Sequence, residues 1–317
     1  MTSHNLSNPD LSGQPTLIVL TGPTGSGKTD LAIRLARELN CDIISADSRQ
    51  IYRGLPIGTA APTGEQLRQA RHHFIGTLDL DQYYSAAQFE ADVMTLLPQL
   101  WQHTPYAIMC GGSMMYIDAV CNGIDELPTI SPEIRSHALR LYENGGLPLL
   151  HSTLQELDPA YLATADPSNH RRLIHAIEIS MQAGVPYSSL RTGEKKPRPF
   201  RIIKMALNPP REVLFGRINA RVDKMMELGL LDEARSVYHL RHLNALNTVG
   251  YKELFAYFDG TMDLPTATAR IGKNTRVYAK KQLTWMQRDP AIQYLPYTDP
   301  FTTALEIIHN SLHIHTN

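Results

Sequence analysis

The 317 residues hold 30 Lys and Arg against 31 Asp and Glu, a formal net charge of −1, so any affinity for nucleic acid has to come from local clusters of charge. That length supports a sizeable core and two lobes, and with no run of about eighteen apolar residues a membrane span is excluded. Cys41, Cys110 and Cys121 lack paired spacing, so neither a zinc site nor a disulfide framework is indicated and a reducing cytoplasm is the expected compartment.

The chain opens on a polar stretch with Pro9, Gly13 and Pro15, which reads as a frayed tail and not as a signal peptide. An apolar run, Leu17 to Leu20, then predicts a strand. It stops at Thr21, and Gly22, Pro23, Thr24, Gly25, Ser26, Gly27, Lys28 and Thr29 follow with the spacing of a phosphate-cradling loop before a helix over 30–39. Glycines allow successive N–H groups to point into one concavity at a helix N-terminus, where they hold anionic oxygens. Lys28 is placed to meet the terminal phosphate, and the Thr29 hydroxyl to ligate magnesium. The loop specifies a diphosphate or triphosphate ligand and nothing finer.

A second strand over 42–45 ends in Ala46, Asp47, Ser48, Arg49 and Gln50. Ligands of open α/β sheets gather at the carboxyl ends of strands, so Asp47 is expected beside the phosphate loop, with a turn or cap aspartate as the equal alternative. Residues 51–60 form a glycine-punctuated loop whose length suggests function. His72 and His73 have no third ligand at suitable spacing, which favours packing or capping over a metal. Ser85 caps a core helix over 85–101. The third strand, 106–110, turns through Gly111, Gly112 and Ser113 into a helix over 114–121. No acidic residue stands there to help activate water, which counts against ATP hydrolysis.

From residue 123 to about 200 the pattern is that of an all-helical insertion. Ser131-Pro132-Glu133 starts a helix that Asn144-Gly145-Gly146 stops, Asp158-Pro159 and Asp166-Pro167 punctuate the next segments, and Arg171 to Met181 forms an amphipathic helix closed by Gly184. The basic run Arg191, Lys195, Lys196, Arg198 and Arg201 reads equally as a solvated linker or a contact surface. Strand character returns over 201–207. A long helix after Pro210 carries an apolar stripe, Leu214, Ile218, Val222 and Met225, and a basic row, Arg217, Arg221 and Lys224, either solvated or in contact with an anion. No acidic residue stands between Asp263 and Asp289, where Lys273, Arg276 and Lys280 share a helix face and Lys281 and Arg288 add to the charge. That face is a candidate nucleic-acid footprint, with Tyr278 and Trp285 read as core or interface aromatics. The whole reads as an α/β fold, a P-loop core with a parallel sheet flanked by helices (1–122 and 201–317), plus an all-helical insertion domain (123–200).

The phosphate loop, Ser45 to Tyr52, Gly58-Thr59-Ala60, His72-His73, Tyr84-Ser85-Ala86, Gly111 to Tyr116, Arg171 to His175, Val249 to Lys252 and Lys280 to Trp285, taken in order, resemble the tRNA dimethylallyltransferases (tRNA isopentenyltransferases) of bacterial type. The resemblance spans roughly residues 15–290. It implies transfer of a dimethylallyl group from dimethylallyl diphosphate to the exocyclic amine of the adenosine 3′-adjacent to the anticodon, in a cytoplasmic monomer with Mg2+, and a helical insertion that grips the anticodon stem-loop. By position, Gly22 to Thr29 and Arg221 then bind diphosphate and Asp47 is the general base. Ser113, a threonine in the family, and Arg217, which neutralises the leaving diphosphate, join it as catalytic residues. Ser48, Arg49, Gln50, Arg171, Arg172, Leu173, Ile174, His175, Lys273, Arg276, Lys280 and Lys281 join Asp47 as tRNA contacts. Gly25 is commonly alanine in the family, an exchange expected to be harmless. The competing readings are a small-molecule or nucleotide kinase with Asp47 as base toward a hydroxyl, and a non-catalytic RNA-binding protein, which leaves Lys28 and Asp47 unexplained.

Overall fold

The computed structural model describes residues 14–313, so the expected polar tail lies, up to Gly13, outside the described residues. In chain order the first elements are β1 (Thr16–Thr21), α1 (Lys28–Glu38), β2 (Ile43–Ala46), α2 (Gly64–Gln69), β3 (His72–His73), α3 (Ala86–Leu100), β4 (Tyr106–Gly111) and α4 (Met114–Asn122). Four helices follow: α5 (Pro132–Leu157), α6 (Pro159–Leu162), α7 (His170–Ala183) and α8 (Tyr187–Leu190). The chain continues with β5 (Arg201–Leu207), α9 (Arg211–Glu227), α10 (Leu230–Ser236), α11 (Tyr251–Phe258), α12 (Leu264–Met286), β6 (Ile292–Leu295) and α13 (Pro300–His313). Two compact units result, one formed by the chain up to Cys121 with the chain from Arg198 onward, the other by Asn122–Pro197.

The larger unit is built on a 6-stranded parallel sheet in the order β3-β2-β4-β1-β5-β6. β1 is apolar without a break because helices cover both faces of the sheet. Its residues alternate accordingly: Ile18 and Leu20 pack with Leu31, Leu35 and Ile308 on one side, Leu17 and Val19 with Phe89, Val93 and Leu97 on the other. Strands lie on one side of β1 through β4, β2 and β3, and on the other through β5 and β6, so the order reverses beside β1 and opens a crevice at the carboxyl ends. The register levels those ends. Thr21 pairs with Gly111 and with Ala206, and Ala46 pairs with Gly111, so the chain leaves four strands at one edge as Gly22, Asp47, Gly112 and Asn208.

Two strands escape the sequence pattern. His72–His73 is a two-residue edge strand whose side chains bond locally, His72 Nδ1 to the Ala70 carbonyl and His73 Nε2 to Asp42, which is the packing role expected of them. In β6 only Ile292 and Leu295 are buried, so no alternation marks it. The basic run near residue 200 is in part structural. The Arg198 side chain is mostly covered, pairing with Glu90 and donating to the carbonyls of Ala119 and Val120, while Arg201 donates to the Ser311 carbonyl.

The smaller unit has its own core, in which Ala138, Leu150 and Leu154 of α5 meet Leu173, Ala176 and Ile177 of α7. The expected stop at Gly146 is a break within α5: Gly146 lies at φ 59° and ψ −151°, and helix resumes beyond it. Buried Asp158 caps α6 through the Tyr161 N–H and also accepts from the Ser188 N–H and hydroxyl, fixing α8.

Candidate functional site

The loop after β1 folds as its glycines require. Gly25 and Gly27 lie at φ 85° and 92°, the left-handed region that side chains with a Cβ adopt at a cost. Alanine at position 25 would be strained in this chain, and its Cβ would also sit 3.1 Å from the Ile218 side chain, so the glycine present suits the backbone here. α1 is capped at its N-terminus by Gly27, which offers no side-chain hydrogen bond and leaves the first N–H groups of the helix for an anion. The Ser26 hydroxyl oxygen is buried with no hydrogen-bond partner among the described residues, and Thr29 is half-buried in the first turn.

Two cations stand over this loop. Lys28 reaches back toward the Pro23 carbonyl at 3.4 Å, and burial holds its ammonium below the ordinary lysine value, with Cys110 and Asp47 opposing that shift and Arg221 adding to it. Arg221 donates to the Thr24 hydroxyl at 3.3 Å and is likewise lowered by burial. Neither makes a salt bridge among the described residues. Cations withdrawn from water without a counter-charge are costly, and a bound polyanion removes that cost.

Asp47 faces the same space in both roles open to it. Its Oδ1 accepts from the N–H groups of Arg49 (2.9 Å) and Gln50 (3.2 Å), making the turn, while Oδ2 has no hydrogen-bond partner among the described residues. Ser113 secures this turn: its Oγ accepts from the Ser48 N–H at 2.8 Å and donates to Ser48 Oγ at 3.2 Å. The next element out is fixed by three side chains. Gln50 Nε2 donates to the carbonyls of Thr59 and Ala60, and Glu233 accepts from the Ile57 and Gly58 N–H groups and from the Tyr251 hydroxyl.

Between these parts lies a cavity of about 370 Å³, within the common range for small-ligand sites. Thr24, Asp47, Ser113 and Arg221 line its polar side, and Ile218, Val222, Met225, Leu230 and Ile271 its apolar side. Tyr278 also lines it, its hydroxyl pushed up to about 12 by burial and by Asp47. A second cavity of about 410 Å³ lies on the outer side of the loop, against Gly25, Ser26, Gly27, Arg34, Arg217 and Arg221. Arg221 borders both cavities. Arg217 borders only the outer one, donating to the Ser26 carbonyl at 3.2 Å and lying over the Tyr297 ring.

The remaining expected contacts divide. Arg49 lines the inner cavity but donates to the carbonyls of Asn244 and Ala245. In the smaller unit Arg171, Arg172 and His175 are exposed at the start of α7, whereas Leu173 and Ile174 are buried in that unit's core; helical spacing turns them inward, so their side chains are not RNA contacts. On α12, Lys273 and Lys281 are exposed. Arg276 is bonded to Asn219, and both it and Lys280 lie over the Phe215 ring of α9, so the basic face is in part an internal joint. Trp285 is held by Asp118. Sequence reasoning gave no role to Glu233, Tyr251 or Gln282, and read Tyr278 only as core or interface. Gln282 had a signal, a polar residue at a buried α12 position between Ala279 and Met286.

A glycine-turned phosphate loop at a parallel-sheet switch point, beside a cavity lined by one carboxylate and an apolar side, is the arrangement of a P-loop enzyme of group transfer. Comparison with known proteins narrows that class. The profile of the IPP transferase family matches residues 50–289, and the chain belongs to this family. It is 54% identical over 279 residues to tRNA dimethylallyltransferase 2 of Parabacteroides distasonis, covering 88% of this chain and 93% of the relative. Among solved structures it is similar to the full-length tRNA isopentenylpyrophosphate transferase of Bacillus halodurans, at 33% identity and a TM-score of 0.67 over 94% of this chain and 95% of that one. It is also similar to a eukaryotic dimethylallyltransferase acting on tRNA, at 25% identity and a TM-score of 0.78 over 93% of this chain and 79% of that one.

Proposed function

We propose that this chain transfers a dimethylallyl group from dimethylallyl diphosphate to the exocyclic amine of the adenosine 3′-adjacent to the anticodon of tRNA. The observation that carries the reading is the pair of half-buried, unbridged cations, Lys28 and Arg221, at the phosphate loop, with Asp47 lining the neighbouring cavity opposite an apolar side. The diphosphate lies on the loop N–H groups and Lys28, and the five-carbon chain against Ile218, Val222 and Met225. The adenine leaves its stack to enter the cavity. As its nitrogen attacks C1 of the donor, the C1–O bond breaks, the amine proton passes to Asp47 Oδ2, and the bonding pair leaves on the diphosphate. Lys28 and Arg221 stabilise the charge developing there, with Arg217 supporting the loop from its outer side.

Magnesium fits as a partner of the diphosphate and not as a resident ion. Among the described residues no group of three or more His, Cys, Asp or Glu side chains could hold a metal alone. The Thr29 hydroxyl would hold it together with phosphate oxygens and water, and it would supply Lewis-acid neutralisation of the leaving group. Arg171, Arg172 and His175 of the smaller unit, with Lys273 and Lys281 of α12, contact the tRNA backbone. Among the described residues no helix is long and apolar enough to cross a membrane, and we place the protein in the cytoplasm as a monomer. The kinase reading is not favoured by the family match. Incubation with an anticodon stem-loop, dimethylallyl diphosphate and magnesium, without ATP, is expected to release one diphosphate per prenylated RNA. A strict ATP requirement, with phosphate appearing on a small acceptor, would overturn the proposal.

A further inference from the structure

We infer that Gln282 of α12 is a positioning residue that ties the phosphate loop to the turn carrying the base. Its carboxamide is 3% exposed and uses both ends: Oε1 accepts from the Thr24 N–H at 2.8 Å, and Nε2 donates to the Gly112 carbonyl at 2.9 Å. Tyr278, one turn earlier on the same face, donates to that Gly112 carbonyl at 3.3 Å. A Cβ on residue 112 would stand 2.1 Å from Gln282 Nε2, so the glycine is what admits the amide.

Each end of the strut continues into the site. On one side Thr24, held by its N–H, presents its hydroxyl to Arg221. On the other, Gly112 leads to Ser113, whose Oγ holds the Ser48 N–H next to Asp47. Gln282 thereby fixes the anion loop and the base at one separation, and reaction rates are sensitive to such separations at the level of about 1 Å. Only a side chain with an acceptor and a donor in this arrangement satisfies both backbone groups. A carboxylate at this place satisfies Thr24 and turns an oxygen against the Gly112 carbonyl; once protonated, it donates there again.

The inference rests on the diphosphate reading of the loop, and its test does not require transfer to occur. Calorimetric titration with magnesium pyrophosphate would be run on the parent, Gln282→Met and Gln282→Glu across acidic to neutral pH, with stem-loop affinity measured in parallel. We expect Gln282→Met to bind pyrophosphate at least tenfold more weakly at every pH. Gln282→Glu should be equally weak near neutrality and return toward the parent as its carboxyl takes up a proton, with stem-loop affinity of both within about twofold of the parent. Parent-like binding by Gln282→Met, or no acid recovery by Gln282→Glu beyond Gln282→Met, overturns the strut. Hydrogen exchange of the parent gives a second measurement free of variant folding: the Thr24 amide should be protected, and exchange at the rate of a solvated loop amide overturns the proposal. Failure of the parent to prenylate RNA would instead count against the function proposed above and leave this binding series interpretable.

Discussion

Replacing Asp47 with asparagine separates the two things the carboxylate does. Oδ1 accepts from Arg49 and Gln50 at 2.9 and 3.2 Å, and an amide oxygen keeps both bonds, so the turn and its neighbours are expected to survive. The outward atom changes from Oδ2 to an NH2 group, which orients an amine poorly and accepts no proton. A positioned general base contributes roughly a hundredfold to ten-thousandfold, or about 2.7 to 5.4 kcal/mol of transition-state stabilisation. Asp47→Asn should lose that much in the single-turnover rate while dissociation constants for stem-loop and dimethylallyl diphosphate change by less than about threefold. Asp47→Ala should lose the same rate and in addition about 0.5 to 2 kcal/mol of stability, because the turn N–H groups lose their acceptor. Rapid-quench assays with saturating enzyme and thermal melts read the two effects separately. A single-turnover rate for Asp47→Asn within a few-fold of the parent refutes the base assignment; lost diphosphate affinity restored by added magnesium assigns the residue to metal organisation instead.

Three further outcomes follow from the same geometry. Lys28→Met should raise the melting temperature of the unliganded protein and abolish pyrophosphate binding, since the partly desolvated ammonium is a cost borne for the ligand. Because the folded pKa of Lys28 lies below its unfolded value, the unfolded chain holds more protons between the two. Parent stability should therefore gain a rise with pH through the window that ends near the ordinary 10.5, a rise missing from Lys28→Met, while pyrophosphate affinity of the parent falls over the same window; melts and titrations against pH that move the other way contradict this. Gly25→Ala should cost roughly 1–2 kcal/mol from its left-handed backbone alone, read as a lower melting temperature, and an unchanged melt would show that the loop relaxes freely. Salt titrations of tRNA affinity should flatten by about 0.7 to 0.9 in log–log slope for each of Lys273 and Lys281 neutralised, and less for Arg276, which is bonded to Asn219; slopes unchanged from the parent in all three variants would return α12 to a solvated face.

What was legible in the sequence was whatever local chemistry dictates. The run from Leu17 to Thr29 names its strand, loop and helix because glycine spacing and an unbroken apolar strand leave few alternatives, and Pro210 marks the start of α9 for a similar reason. Edge strands were illegible because their pattern is weak: His72–His73 bonds through side chains to nearby residues, and β6 buries only its ends. Long-range polar contacts were illegible for another reason. Nothing near residue 282 announces a bond to Thr24, and nothing near residue 233 announces one to Gly58, since both arise from packing across 258 and 175 positions of chain. The two cationic rows illustrate the same limit. Helical spacing grouped Arg217 with Arg221 and Lys273 with Arg276, but only tertiary packing decides that Arg221 borders both cavities while Arg217 and Arg276 are held by other side chains or backbone. Leu173 and Ile174 fell on the wrong side of that line because they sit within a basic motif yet face the helical core.

On the function proposed, this site places one prenyl group on one base. The most direct measurement is mass spectrometry of the nucleosides and of nuclease fragments from unmodified tRNA incubated with the protein, dimethylallyl diphosphate and magnesium, with Asp47→Asn as the parallel sample. The expected product is adenosine carrying a single dimethylallyl group, confined to the fragment holding the residue 3′ to the anticodon, with a rate of formation lower by roughly a hundredfold or more for Asp47→Asn. Prenyl adenosine spread over other fragments, equal formation with the variant, or phosphate transfer in its place would contradict it.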